Sequence, residues 1–194
     1  MIKEQFFPTI LYAKDIKLDN SFLEKEIIKW SEEDKGITKS NVNGWHSHTN
    51  MHEMPVFKIL VDELFKMQSE IFNEENLNGE PCLISMWANI NLPGGYNKSH
   101  IHPNSHFSGV YYIKATKDSG DIVFNDPKST SHMIVPSVKN IELPKYLWKE
   151  VRVSPVVGRI IIFPSWLWHR VDINNTNDKR ISVSFNFTQR MVDE

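Results

Sequence analysis

The sequence predicts an antiparallel β-sandwich or barrel that carries helices on one side. Three observations predict it. The apolar period switches from helical to two-residue at Pro81; seven or eight short strand candidates follow, separated by turn signals; and two amphipathic stretches precede the switch, supplying the partner that a one-sided sheet needs. A length of 194 residues is that of one domain able to bury a core, with 1–80 mainly helical support and 81–190 the β core.

The first twenty residues mix charges with apolar side chains and do not read as a signal peptide. Ser21-Phe22-Leu23-Glu24 has the form of a capping box, and Leu23, Ile27 and Trp30 follow at helical spacing. A second, longer helix is expected from Pro55, with Phe57, Leu60, Val61, Leu64, Met67 and Ile71 as its stripe and Asn78-Gly79-Glu80-Pro81 as its stop. Between them, residues 44–52 hold His46, His48 and His52. These could bind a metal, but the segment has no period and reads as a polar surface or pocket-rim loop.

From residue 82 the alternation is clean. In 83–91, Ile84, Met86, Ala88 and Ile90 form one face and Ser85, Trp87, Asn89 and Asn91 the other. Further strands are expected at 107–114, 121–125, 148–157, 159–163, 167–171 and 180–188, punctuated by Pro-Gly-Gly, Asp-Ser-Gly, Asn-Asp-Pro and Asn-Asn-Thr-Asn-Asp. The last strand sets Ile181, Val183, Phe185 and Phe187 against Arg180, Ser182, Ser184, Asn186 and Thr188. Its apolar face requires a cover, which the helices provide; its polar face looks either to solvent or into a hydrated cavity.

Composition excludes several classes. With 22 basic and 24 acidic residues there is no electrostatic footprint for nucleic acid or an anionic membrane, and no apolar run approaches a membrane span. A lone cysteine, Cys82, rules out an internal disulfide or a Cys-rich zinc site and fits a reducing, cytoplasmic setting. Eight histidines are more than a scaffold needs. His100 and His102, two apart, can face one point, and His169 lies far downstream; such a set builds a facial metal site with open positions. Arg180 follows His169 by eleven residues, where it either faces an anion in the cavity or pairs with Asp178 or Asp172 at the strand end.

This order resembles the double-stranded β-helix (jelly-roll, cupin-like) oxygenases dependent on Fe(II) and 2-oxoglutarate, the prolyl-hydroxylase-like superfamily. The resemblance rests on Gly158-Arg159-Ile160-Ile161-Ile162-Phe163-Pro164, His169 and Arg180-Ile181-Ser182. More narrowly, His100-Ile101-His102-Pro103, Ser108-Gly109-Val110-Tyr111-Tyr112 and Gly44-Trp45 resemble a group of such oxygenases from marine bacteria and their phages. The resemblance implies Fe(II), 2-oxoglutarate and O2 as cofactors, His100, His102 and His169 as metal ligands, and Arg180 with Ser182 on the distal carboxylate of 2-oxoglutarate. Asn89 and Tyr112 are further candidates for that cavity, and Trp87, Trp166 and Trp168 for its walls, with packing the role of at least one. Arg159 and Arg170 read as surface or pairing residues.

One departure matters. The family carries a carboxylate two residues after its first histidine, and here His102 stands there, or Asn104 if His102 is the first. A three-histidine face suits iron and leaves the site more positive by one charge. His106 is the alternate ligand; Asp121 and Asp126 are possible carboxylates, although Asp126 before Pro127 suits a turn. The implied reaction hydroxylates an unactivated C–H bond of a small-molecule or peptide substrate. A cupin-like three-histidine enzyme without 2-oxoglutarate and a non-enzymatic jelly-roll module are the competing readings, and Arg180 discriminates against the cupin. Nothing in the sequence fixes the substrate or the oligomeric state.

Overall fold

The computed structural model describes residues 1, 2, 4, 6–139 and 143–191. In chain order they form β1 (Tyr12–Asp15), α1 (Asn20–Glu33), β2 (Asn41–His46), α2 (Lys58–Glu74), β3 (Glu80–His100), β4 (Phe107–Lys114), β5 (Ile122–Asn125), β6 (Glu150–Val153), β7 (Arg159–Pro164), β8 (His169–Val171) and β9 (Arg180–Arg190). No helix among them is long and apolar enough to cross a membrane.

These strands pair antiparallel, in the order β1-β7-β4-β9-β3-β8-β5-β6, with β2 alongside β3. The 21-residue β3 belongs to both ends of the curl. Its first half pairs with β9 from Glu80 to Asn91, and its last residues pair with β8 at Asn97 and His100. The sheet therefore folds over itself as a double-stranded β-helix, the predicted class.

The helices seal the outer face. Leu23 and Ile27 of α1 and Leu60, Leu64, Met67 and Ile71 of α2 join one core with Met86, Ala88, Ile90, Val183, Phe185 and Phe187. A Cβ on Gly109 would stand 2.3 Å from the Phe185 ring, so glycine is what lets that ring lie flat against β4. A second, smaller cluster inside the curl takes the opposite faces of the same strands, with Val110, Tyr112, Ile161 and Phe163 meeting Ile122, Phe124 and Leu167.

Several expectations are corrected. The helix α1 is capped not by Ser21 but by Asp19, whose Oδ1 accepts from Phe22 N at 3.0 Å. An aspartate one residue upstream of the helix outcompetes the serine inside it. The 1–80 region also holds two strands, β1 and β2. Residues 44–46 are not loop but the end of β2; Gly44 permits this, because a Cβ there would lie 2.4 Å from the Ile90 carbonyl oxygen. Ile84 does not join the buried face: it is the extra residue of a bulge between Leu83, opposite Phe187, and Ser85, opposite Asn186, and it is exposed. Leu83 takes its place in the core. Pro93-Gly94-Gly95 does not end the strand; with Gly94 at φ +78°, it lies between the part of β3 paired with β9 and the part paired with β8. The strands expected at 148–157 and 167–171 are shorter, Glu150–Val153 and His169–Val171.

Candidate metal centre

The polar faces of β3 and β9 turn largely into the curl. They line a cavity of about 640 Å³ inside the curl, together with the end of β3, β8 and the segment before β2. Burying such a surface is costly unless each group finds a partner. On one wall the partners are all present: Ser108 Oγ donates to Asn186 Oδ1 and lies 2.7 Å from Ser165 Oγ, and Asn186 Nδ2 donates to Ser85 Oγ at 2.9 Å.

The three expected histidines converge here. His100 ends β3 and stands opposite His169, the first residue of β8, while His102 lies two residues past the strand end, its N–H held by the Ser165 carbonyl. One ring nitrogen from each lies within 4.8 Å of the others, and no other group of three or more candidate ligands gathers among the described residues. His102 Nε2 and His169 Nε2 are 3.2 Å apart, about the separation of two adjacent ligands each about 2.1 Å from one ion. Nδ1 of His100 faces the Lys98 carbonyl at 2.7 Å and Nδ1 of His169 the Leu167 carbonyl at 2.9 Å. A carbonyl accepts only, so each Nδ1 carries the proton and each Nε2 presents its lone pair. Burial, reinforced by the neighbouring imidazoles, pushes His102 down to about 4 and His169 down to about 3; burial also lowers His100. Neutral imidazoles with free Nε2 atoms fit a first-row divalent metal.

Arg180 opens β9 and is 1% exposed, beside the same cavity. NH1 donates to Asn91 Oδ1 (3.3 Å) and Ser182 Oγ (3.1 Å), the guanidinium lies 5.2 Å from the Tyr112 ring centre, and Nε has no partner. The strand-end pairing with aspartate does not form. Asp178 pairs with Lys114, and Asp172 with Arg152 and Arg170. Among the described residues no carboxylate makes an ion pair with Arg180, and burial presses its pKa down. Asn89 Oδ1 and the Tyr112 hydroxyl are likewise buried without partners.

The remaining sequence candidates fall elsewhere. His106 is exposed, its Nδ1 3.0 Å from Thr188 Oγ1, outside the histidine group. Asp126 shapes a turn, accepting from Lys128 N, and pairs with His132; neither it nor Asp121 lines the cavity. Trp166 and Trp168 are half exposed and off the cavity, whereas Trp87 walls it. Arg159 and Arg170 pair at the surface as expected, with Asp15 and with Glu150 and Asp172. Of the 44–52 histidines, His48 lies 3.6 Å from Asp34 and His52 stays off the cavity, but His46 enters it. Its ring stacks on Trp87 (5.5 Å, 8°), which in turn lies 5.5 Å from His102. Only strand alternation through Trp45 could have signalled it.

A family model described as "Putative 2OG-Fe(II) oxygenase" matches residues 85–186, which is the cavity-forming half of the chain. The chain belongs to the 2-oxoglutarate- and Fe(II)-dependent oxygenases. The cofactors of this class are Fe(II) and 2-oxoglutarate, with O2. Solved structures of similar fold include a prolyl-4-hydroxylase from Pseudomonas putida (14% identity, TM-score 0.66, 94% of each chain covered). The viral collagen prolyl hydroxylase of Paramecium Bursaria Chlorella virus-1 also matches (15%, 0.59, 94% of this chain and 96% of that). So does the α-ketoglutarate-dependent epimerase SnoN of nogalamycin biosynthesis (10%, 0.69, 93% and 77%). No curated protein matches. For an oxygenase of this family the cavity offers a compatible donor set at one place and an unpaired cation at another, which is what a chelating dicarboxylate needs.

Proposed function

We propose that this oxygenase is a hydroxylase that holds Fe(II) on His100, His102 and His169 and 2-oxoglutarate on Arg180. The observation that supports it above all is Arg180, a guanidinium buried in the metal-site cavity with no carboxylate among the described residues in an ion pair with it. A buried cation without a counter-ion is costly, and a ligand carboxylate relieves the cost. The guanidinium fork matches a carboxylate bidentately. Ser182 adds to it: because its Oγ accepts from Arg180, its own proton is free to donate to the same anion. Asn89 Nδ2 donates to Ser184 Oγ at 3.1 Å, which leaves its buried Oδ1 to accept a hydrogen bond from what enters the cavity. Tyr112 supports the guanidinium from below.

Fe(II) with 2-oxoglutarate and O2 supplies the oxidising power: one oxygen atom enters a substrate C–H bond as hydroxyl, the other enters succinate, and CO2 leaves. The chain's part is positional. His100 and His169, locked through Nδ1, aim their Nε2 atoms; the Trp87 and His46 stack walls the side next to His102; Ser108, Ser165, Asn186 and Ser85 hold one another and keep that wall rigid. The substrate is a small molecule or one residue of a peptide.

Anaerobic titration with Fe(II), with and without 2-oxoglutarate, tests this. The weak visible charge-transfer band of the chelate is expected only with both, and His169→Ala should abolish iron binding. No band in the unsubstituted protein, or stoichiometric iron retained in His169→Ala, overturns the assignment.

A further inference from the structure

We infer that the substrate carries an anionic group, a carboxylate or a phosphate, bound at the cavity mouth by Lys39 and Lys98. The inference rests on the reading above and adds the substrate's charge.

The lining of the cavity holds three cationic side chains, Lys39, Lys98 and Arg180, and no aspartate or glutamate, in a chain with more acidic than basic residues. The two lysines sit together on the rim. Lys98 N donates to the Ser40 carbonyl at 2.9 Å, so the segment before β2 and the end of β3 continue the pairing that begins at Asn41 and Asn97. Several surface cations elsewhere are matched. Lys14 pairs with Glu70, Lys58 with Asp62, Lys66 with Glu63, Lys114 with Glu24 and Asp178, and Arg190 with Glu80. Neither Lys39 nor Lys98 has such a partner among the described residues.

The rim is also braced from within. Asn97 Nδ2 donates to Ser40 Oγ (3.1 Å), Asn91 Nδ2 to Asn97 Oδ1 (3.0 Å), and Asn91 Oδ1 accepts from Arg180. Lys39 N is held by Asn41 Oδ1 at 2.8 Å. A chain of amides therefore fixes the backbone that carries the two exposed lysines relative to the inner arginine.

Charge arithmetic points the same way. Three neutral imidazoles cancel nothing of a divalent ion, and Arg180 adds one more positive charge, which Asp121 offsets only from outside the cavity lining. The dianionic 2-oxoglutarate leaves one positive charge without a partner in the lining before either lysine is counted. A substrate anion at the rim neutralises what remains, and the cationic mouth steers it inward. A cationic substrate would enter against that field, and a neutral one would gain nothing from it.

The test uses full-length protein loaded with Zn(II) in place of iron and saturated with 2-oxoglutarate, which blocks Arg180. Methyl phosphate, acetate and acetamide are titrated in and followed by NMR. Saturable binding of an anion is expected, with none for acetamide; whichever anion binds tighter assigns the group as phosphate or carboxylate. In Lys39→Gln/Lys98→Gln that binding should weaken at least tenfold while 2-oxoglutarate affinity stays within twofold, which also shows that the variant is folded. Three results overturn the inference: no saturable anion binding, binding indifferent to the double substitution, or a parallel fall in 2-oxoglutarate affinity, which would make the lysines part of the cosubstrate site. Failure of the underlying reading shows earlier and separately, as no 2-oxoglutarate binding before any anion is added.

Discussion

Tyr111 and Tyr112 are neighbours on β4, both fully buried, and they face two different environments. Tyr111 packs in the helix-side core, and its hydroxyl donates to Asn20 Oδ1 of α1 at 2.6 Å. Tyr112 points inside the curl, and its hydroxyl, close to the Arg180 guanidinium, makes no well-formed hydrogen bond among the described residues. The contrast runs along the whole β3–β9 pair. Its outer face is apolar and complete, and its inner face is polar and incomplete, with Arg180 Nε and Asn89 Oδ1 also unmatched. Each unmet buried group costs about 1–3 kcal/mol. The same strands thus stabilise the fold on one face and hold unspent binding capacity on the other, so stability and ligand binding should separate cleanly by face.

The largest effect expected on stability is from the outer face. Phe185→Ala removes a fully buried ring packed against Gly109 and Phe187 and should cost about 3–5 kcal/mol in chemical denaturation. The folded fraction should keep its 2-oxoglutarate affinity within twofold. Binding lost while stability holds would break the division.

Arg180→Met is expected to do the reverse. Iron still binds, but 2-oxoglutarate affinity falls roughly a hundredfold, the loss of a charge-assisted pair worth about 1.5–3 kcal/mol. Stability of the ligand-free protein should stay level or rise, because an unpaired buried charge has been replaced by an apolar chain of similar length. A drop of several kcal/mol instead would mark Arg180 as a structural residue.

The two faces were also unequally legible. Alternation in β9 placed each of Ile181, Val183, Phe185 and Phe187 on one side, because a period of two is a local property of the strand. Ile84 was misplaced because a bulge depends on what lies opposite, here Phe187 and Asn186. The histidine group was readable, since His100 and His102 are near in sequence and the resemblance supplied His169. His46 was not, because its place depends on β2 docking beside β3, which Gly44 permits; alternation through Trp45 could signal a strand but not its partner. Lys39 and Lys98 were invisible for the same reason: they become neighbours only through that pairing. Arg180's want of a partner was likewise unreadable, since Asp172 and Asp178 are close in sequence and turn to other cations.

The smallest predicted effect decides how Ser182 works. It receives a hydrogen bond from Arg180 NH1 and stands two residues along the same face. Ser182→Ala should weaken 2-oxoglutarate binding about three- to tenfold, the range of one neutral hydrogen bond of about 0.5–1.5 kcal/mol. Arg159→Ala, which removes an exposed pair with Asp15, should leave that affinity unchanged and serves as the control. Two origins of the serine effect are separable. If Ser182 only positions the guanidinium, its substitution should do nothing in an Arg180→Met background. If its hydroxyl donates to the carboxylate directly, the same loss should reappear there, on top of the arginine's. The free proton on Ser182 Oγ favours the second outcome, and isothermal titration of the two single variants and the double variant, each with its metal content checked, reads it out.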